Sequence, residues 1–80
     1  MTSETHQPDL MKISAAARAA GVSKQTIEYY ILIGLIEPIR SERGRRFFDE
    51  ELVKRIRLIR QLNQTGYTLR AIKEIYLQDR

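Results

Sequence analysis

The stretch that decides the fold is ISAAARAAGVSKQTIEYYILIG, residues 13–34. We expect the first helix to begin at Ser14, whose hydroxyl can cap it, and to end at Gly21, because glycine adopts the left-handed helix-closing conformation cheaply. Two residues later, Ser23 can cap a second helix, which Gly34 stops. Two helices joined by a short glycine turn form a helix-turn-helix motif.

Apolar residues recur on one face of each of these two helices. Small side chains on the first helix allow a neighbouring helix to approach closely. We expect the core role for Tyr30, whereas Tyr29 points away from the inward face. The residues predicted to face inward are Ile13, Ala16, Ala17 and Ala20 in the first helix, and Ile27 and Tyr30 in the second.

The next segment, LIEPIRSERGRRFF, residues 35–48, has a different character. Pro38 excludes a helix interior, and the polar tip SERG, with the permissive Gly44, separates two short apolar runs. This pattern predicts a β-hairpin wing. The hairpin carries four arginines against one acid, Glu42. Such a cluster of positive charges indicates a polyanionic partner. The four wing arginines are Arg40, Arg43, Arg45 and Arg46.

Two further helices follow the hairpin. Asp49 can cap the third helix, Gly66 ends it, and Thr68 can cap the fourth. The residues expected to face inward are Leu52, Val53, Ile56, Ile59 and Leu62, then Leu69, Ile72 and Tyr76. The predicted fold class is therefore mainly α: a winged helix-turn-helix of four helices, with a small β-hairpin wing between helices 2 and 3.

Length and charge set further limits. Eighty residues form at most one domain. Residues 1–10 are predicted to be a disordered polar tail, and residues 11–80 the folded domain. The net charge is +4, and ten of the fourteen basic residues are Arg, the side chain best suited to phosphate and guanine. A solvated surface of mixed charge is the alternative interpretation of composition alone.

Several classes of function are excluded or disfavoured. The sequence contains no cysteine, and its single histidine, His6, has no partner at ligand spacing, so we expect no disulfide, metal or cofactor. A membrane span would need about 18 apolar residues in a row, and the N-terminus lacks a secretory pattern. We therefore expect a cytoplasmic protein, which would be nucleoid-associated if its polyanionic partner is DNA. Without a nucleophile–His pair or a glycine-rich phosphate loop, it is not expected to be an enzyme.

Taken together, these segments resemble the MerR family of bacterial transcription regulators. The resemblance covers about residues 11–78 and consists of ISAAARAAGVSKQTI, YY, IGLIEPIR, RRFFDEEL and LIRQLNQTGYTLRAIKEI in the family's order. It implies a winged helix that binds double-stranded DNA, with the second helix in the major groove and the wing on the backbone. It also implies a homodimer on inverted-repeat promoters that distorts DNA for RNA polymerase.

The predicted DNA-binding surface combines the start of the second helix with the wing. A helix N-terminus presents free N–H groups and partial positive charge to phosphate. The resemblance adds that the Tyr29 hydroxyl contacts a backbone phosphate. The candidate DNA-binding residues are Ser23, Lys24, Gln25, Thr26, Glu28, Tyr29, Arg40, Arg43, Arg45 and Arg46.

Glu28 departs from the family pattern, which most often has arginine at this position. A carboxylate repels phosphate, so a role on the DNA backbone is lost. Glutamate can instead accept a hydrogen bond from a cytosine amino group. Our hypothesis is that Glu28 sets base preference and lowers overall affinity.

Ile31 and Leu32 are a second departure, because the family places polar residues after the paired tyrosines. These two residues are either tighter core packing or an exposed interface for self-association or for a partner. The chain also stops at Arg80, without the long dimerisation helix that the resemblance implies. It is accordingly either an excised DNA-binding domain or a minimal protein.

The sequence is compatible with three functions. The first is a sequence-specific transcription regulator. The second is an excisionase-like accessory factor that shapes DNA, which would assemble cooperatively on adjacent sites. The third is a protein-interaction module that keeps the fold and has lost DNA binding; Glu28 and the Ile31–Leu32 pair favour it, and the wing arginines oppose it.

Overall fold

The computed structural model describes residues 9–76 and confirms the predicted mainly α architecture with a two-stranded hairpin between the second and third helices. Of the predicted tail, only Asp9 and Leu10 lie within the described residues, and both are exposed. His6 lies outside them, as does the side chain of Tyr76. The helices are α1 (Ile13–Ala20), α2 (Lys24–Leu32), α3 (Glu50–Gln64) and α4 (Leu69–Ala71), the last continuing as a π-helical turn (Ile72–Tyr76); the strands are β1 (Ile39–Arg40) and β2 (Arg46–Phe47).

The start of α1 differs from the prediction. Its N-cap is Lys12, which has extended backbone and makes no side-chain cap hydrogen bond, and Ser14 lies inside the first turn. The reason is tertiary. Met11 pairs with Phe48 as extended chain, its N–H and C=O each 2.8 Å from the partner atom. The chain is therefore extended up to Lys12 and helical from Ile13. Ser14 already lies in the first turn, where its side chain cannot act as the N-cap.

The other predicted helix ends are confirmed. The side chains of Ser23, Asp49 and Thr68 accept hydrogen bonds from the backbone N–H groups three residues ahead, at 3.0, 2.9 and 3.0 Å. Gly21 closes α1 with a φ of 75°, in the left-handed region, where a side chain would be strained. These local bonds supply partners for helix-end N–H groups that would otherwise have none.

The predicted hairpin of two short strands is confirmed. β1 and β2 pair antiparallel in the register Ile39 with Phe47 and Arg40 with Arg46. Met11 pairs with Phe48 in an isolated antiparallel bridge next to the end of β2, which ties the segment before α1 to the base of the wing. Leu35 and Ile36 lie before β1 and are buried in the core, which fastens the base of the wing to the helices.

The core lies between α1, α2, α3 and the last helical turn. The predicted inward residues of α1 and α2 are confirmed, except that Ile13 is only half-buried. In α3 the stripe is fully buried at its centre and half-buried at Leu52 and Leu62. The buried residues of the hydrophobic core are Ala16, Ala17, Ala20, Ile27, Tyr30, Leu35, Ile36, Phe48, Val53, Ile56, Ile59 and Ile72. Across residues 9–76, no helix has both the length and the apolar character that crossing a membrane requires.

Candidate nucleic-acid interface

The first turn of α2 is capped by a hydroxyl and open to solvent. The Ser23 Oγ accepts the Thr26 N–H at 3.0 Å and also lies 2.9 Å from Thr26 Oγ1. Lys24 and Gln25 are exposed, and Thr26 is half-buried. The exposed side chains of Lys24 and Gln25 therefore lie in the first turn, beside the partial positive charge of the helix N-terminus.

The two adjacent tyrosines of α2 face opposite ways. Tyr29 is 50% exposed, whereas Tyr30 is 4% exposed. Burial raises the pKa of the Tyr30 phenol, and the positive charge of Arg60 offsets part of that rise. The predicted core role of Tyr30 is confirmed, and Tyr29 lines the same groove as Ser23, Gln25 and Thr26 at the start of α2.

The tip of the wing is shaped by Ser41. Its Oγ accepts the backbone N–H groups of Arg43 and Arg45 at 3.2 and 3.1 Å, and its own N–H donates to the Arg45 carbonyl at 2.9 Å. Gly44 makes the turn possible with a φ of 81°. These bonds fix the backbone of the tip, which carries the exposed side chains of Arg43 and Arg45.

Glu28 and Arg46 form a bidentate ion pair between the middle of α2 and strand β2. The Arg46 Nη1 donates to Glu28 Oε1 at 3.0 Å, and Nη2 donates to Oε2 at 2.7 Å. The hydrogen bond from Arg46 lowers the pKa of the Glu28 carboxyl, and the same bond raises the pKa of the Arg46 guanidinium. Glu28 and Arg46 are both candidate DNA-binding residues in the sequence. The structure shows that they also bind each other.

The ion pair joins two of the predicted site residues, Glu28 and Arg46, and Arg40 lies directly opposite Arg46 in the hairpin. Ser23, Gln25, Thr26 and Tyr29 line one groove, and Arg43 and Arg45 lie at the tip of the wing. The choice between core and surface for the apolar pair is also resolved at Leu32, which is 79% exposed. Core packing is the wrong interpretation for this side chain. Ile31 is half-buried and packs against the core.

One part of the surface was not anticipated. A shallow groove runs beside α2, and its far wall is formed by Arg60, Asn63 and Gln64 of α3. Arg60 is exposed and lies near Tyr30. No local pattern predicts this position, because it depends on the tertiary placement of α3.

The chain matches the family model described as MerR HTH family regulatory protein over residues 11–79. It is 38% identical to the mercuric resistance operon regulatory protein of Bacillus cereus over 65 residues, which is 80% of this chain and 49% of that protein. It is also 38% identical to the HTH-type transcriptional regulator CueR of Bacillus subtilis (strain 168) over 63 residues, 79% of this chain and 44% of that one. The chain thus spans about half the length of the curated relatives it matches.

Solved structures give the same result. HiNmlR, a MerR family regulator lacking the sensor domain and crystallised bound to promoter DNA, matches with a TM-score of 0.75 at 30% identity, covering 82% of this chain and 51% of that one. A MerR family transcriptional regulator from Bacillus cereus matches with a TM-score of 0.78 at 26% identity, covering 90% and 55%. These relatives are transcription regulators, in agreement with the expectation that the chain is not an enzyme.

The fold, the order of the sequence motifs and the match over residues 11–79 agree. The chain belongs to the MerR family of helix-turn-helix regulatory proteins.

Proposed function

We propose that this chain is a sequence-specific binder of double-stranded DNA that regulates transcription. In this proposal α2 enters the major groove and the arginine-bearing wing lies on the DNA backbone. The observation that carries it is the exposed, capped start of α2 in the same part of the domain as a hairpin with four arginines, linked through Glu28 and Arg46. A helix N-terminus and clustered arginines both favour phosphate.

The proposed contacts follow from exposure and chemistry. Side chains at the start of α2 reach base edges and phosphates, the Tyr29 hydroxyl donates to a phosphate, and the exposed wing arginines pair with phosphates along the strand. The residues assigned to this surface are Ser23, Lys24, Gln25, Thr26, Glu28, Tyr29, Arg40, Arg43, Arg45 and Arg46.

The relatives support a promoter as the target. HiNmlR has been crystallised on promoter DNA, and its structure shares the fold over 82% of this chain. The matched curated proteins are named as regulators of transcription. A homodimer on an inverted repeat, action through RNA polymerase and residence on the nucleoid are further parts of the proposal. A linked second half-site would raise the effective affinity of each domain.

A salt-titrated binding assay tests this function. Each neutralised phosphate adds about 0.9 to the slope of log affinity against log salt, so engagement of about four cations predicts a slope of roughly −4 per domain on random duplex DNA. Sequencing of the bound duplexes then gives the preferred site. A slope near zero, or no binding in dilute buffer, would overturn the proposal.

A second candidate function is favoured by one observation. Leu32 is 79% exposed beside the half-buried Ile31, and contiguous apolar patches on a surface mark protein contacts. A protein-interaction module with this fold would use the Ile31–Leu32 surface and would not bind DNA. The salt slope separates the two functions, since only DNA binding releases counterions.

A further inference from the structure

The Glu28–Arg46 pair occupies only one edge of the Arg46 guanidinium. Both terminal nitrogens donate to the carboxylate, whereas Nε and the second N–H of Nη2 form another fork on the adjacent edge. Within residues 9–76, no hydrogen bond engages that second fork. The Arg46 side chain is 30% exposed, so part of it is open to a ligand from outside the protein.

The carboxylate changes which acceptor the fork favours. Glu28 lies against the guanidinium at 2.7 Å and is itself half exposed. The Glu28 carboxylate therefore neutralises the positive charge that would attract a phosphate to Arg46, and its own negative charge repels the phosphate. The O6 and N7 atoms of guanine form a neutral acceptor pair with the spacing that an arginine fork requires, and they meet no comparable repulsion.

We propose that Glu28 is a positioning residue that makes Arg46 a guanine-selecting group rather than a phosphate-binding one. The ion pair holds the guanidinium in one orientation, and its open Nε–Nη2 edge donates to guanine O6 and N7. This inference rests on the proposed function and replaces a direct contact of Glu28 with cytosine. The other wing arginines (Arg40, Arg43 and Arg45) are exposed and have no acidic partner among the described residues, so they bind phosphate.

A purely structural explanation makes a different prediction. Arg40 and Arg46 are directly opposite in the hairpin register, and like charges at opposed positions destabilise a strand pair. If Glu28 only relieves that repulsion, its loss changes stability and leaves sequence preference unchanged. The experiment must therefore measure sequence preference as well as affinity.

The test compares Arg46→Ala with Arg43→Ala, a wing arginine without an acidic partner, in the 80-residue chain. Both are titrated with salt on random duplexes, and the bound sequences are determined. We expect Arg43→Ala to make the slope shallower by about 0.9 with the preference unchanged. We expect Arg46→Ala to lose about ten-fold preference for guanine at one position of the site, within the range for a bidentate contact, with the slope almost unchanged.

Glu28→Gln is the second variant, because it removes the charge and keeps the shape. We expect tighter binding at low salt, a slope steeper by about 0.9 and weaker guanine preference, since the uncompensated Arg46 then binds phosphate. Thermal melting checks that each variant is folded. If Arg46→Ala behaves like Arg43→Ala, or Glu28→Gln changes stability alone, the inference is overturned. A wild-type slope near zero would instead overturn the proposed function.

Discussion

The ammonium of Lys73 donates a hydrogen bond to the carbonyl oxygen of Ile33 at 3.0 Å, joining two residues forty positions apart. Ile33 is the C-cap of α2, and a positive charge at this end complements the negative end of the helix dipole. Lys73 thus fastens the π-helical turn after α4 to the last carbonyl groups of α2. It does so directly over Gly34, where a Cβ atom would lie 2.9 Å from the Lys73 Nζ.

This contact predicts different costs for two alanine substitutions. Gly34 and Gly44 have nearly the same left-handed φ, 82° and 81°, but a Cβ at Gly44 would meet nothing within 4 Å. We expect Gly44→Ala to lower the free energy of unfolding by about 1 kcal/mol through backbone strain. Gly34→Ala should cost slightly more, because it also pushes the flexible Lys73 side chain away from the Ile33 carbonyl. Urea denaturation measures both, and the difference should vanish in a Lys73→Ala background; equal costs in the wild-type background would contradict the contact.

The cap of α2 predicts a second pair of variants. Ser23→Ala removes the acceptor of the Thr26 N–H and should lower the free energy of unfolding by about 1 kcal/mol. Ser14→Ala is the matched control, because Ser14 lies inside the first turn of α1 and caps nothing. We expect that change to stay within about 0.5 kcal/mol. Chemical denaturation of the two variants checks the contrast, and a large effect at Ser14 would show that the helix starts there.

The Glu28–Arg46 pair predicts a pH dependence of stability. The pKa of Glu28 is lowered from 4.5 in the folded chain, so the pair stabilises the fold above that pH and the stabilisation is lost as pH falls through the lowered value. Thermal melts of the wild type and Glu28→Gln should therefore differ most near neutral pH and converge in acid. A difference that persisted well below pH 4.5 would have to come from packing and not from the charge.

The apolar pair at the end of α2 predicts opposite outcomes for adjacent residues. Leu32→Lys should change the free energy of unfolding by less than about 0.5 kcal/mol, because the side chain is already 79% exposed. Ile31→Lys should cost folding, because Ile31 packs against the core. If Leu32 forms the proposed interface, sedimentation of Leu32→Lys shows a lower mass than the wild type. An unchanged mass for a folded Leu32→Lys variant would remove the interface proposal.

The sequence by itself determined the elements and most of their ends. Ser23, Asp49 and Thr68 bond to N–H groups three residues away, and Gly21 closes α1 within its own turn. Such interactions are local, so residue type and spacing suffice to predict them. Helical periodicity likewise identifies the buried faces, since every third or fourth residue lies on one side of a helix. The family motifs then follow in order along the same local elements.

Only the tertiary structure decided how the elements complete one another. The bonds of Arg46 to Glu28, of Lys73 to Ile33 and of Arg57 to the Ala19 carbonyl join residues 18, 40 and 38 positions apart. The Met11–Phe48 bridge likewise places the N-cap of α1 at Lys12 and not at Ser14. A long flexible side chain can reach many partners, and its choice depends on where chain packing brings a free acceptor. Residue spacing does not predict which acceptor lies near a given side chain in the fold. These contacts, including the Glu28–Arg46 pair of the candidate interface, are therefore decided by the tertiary structure alone.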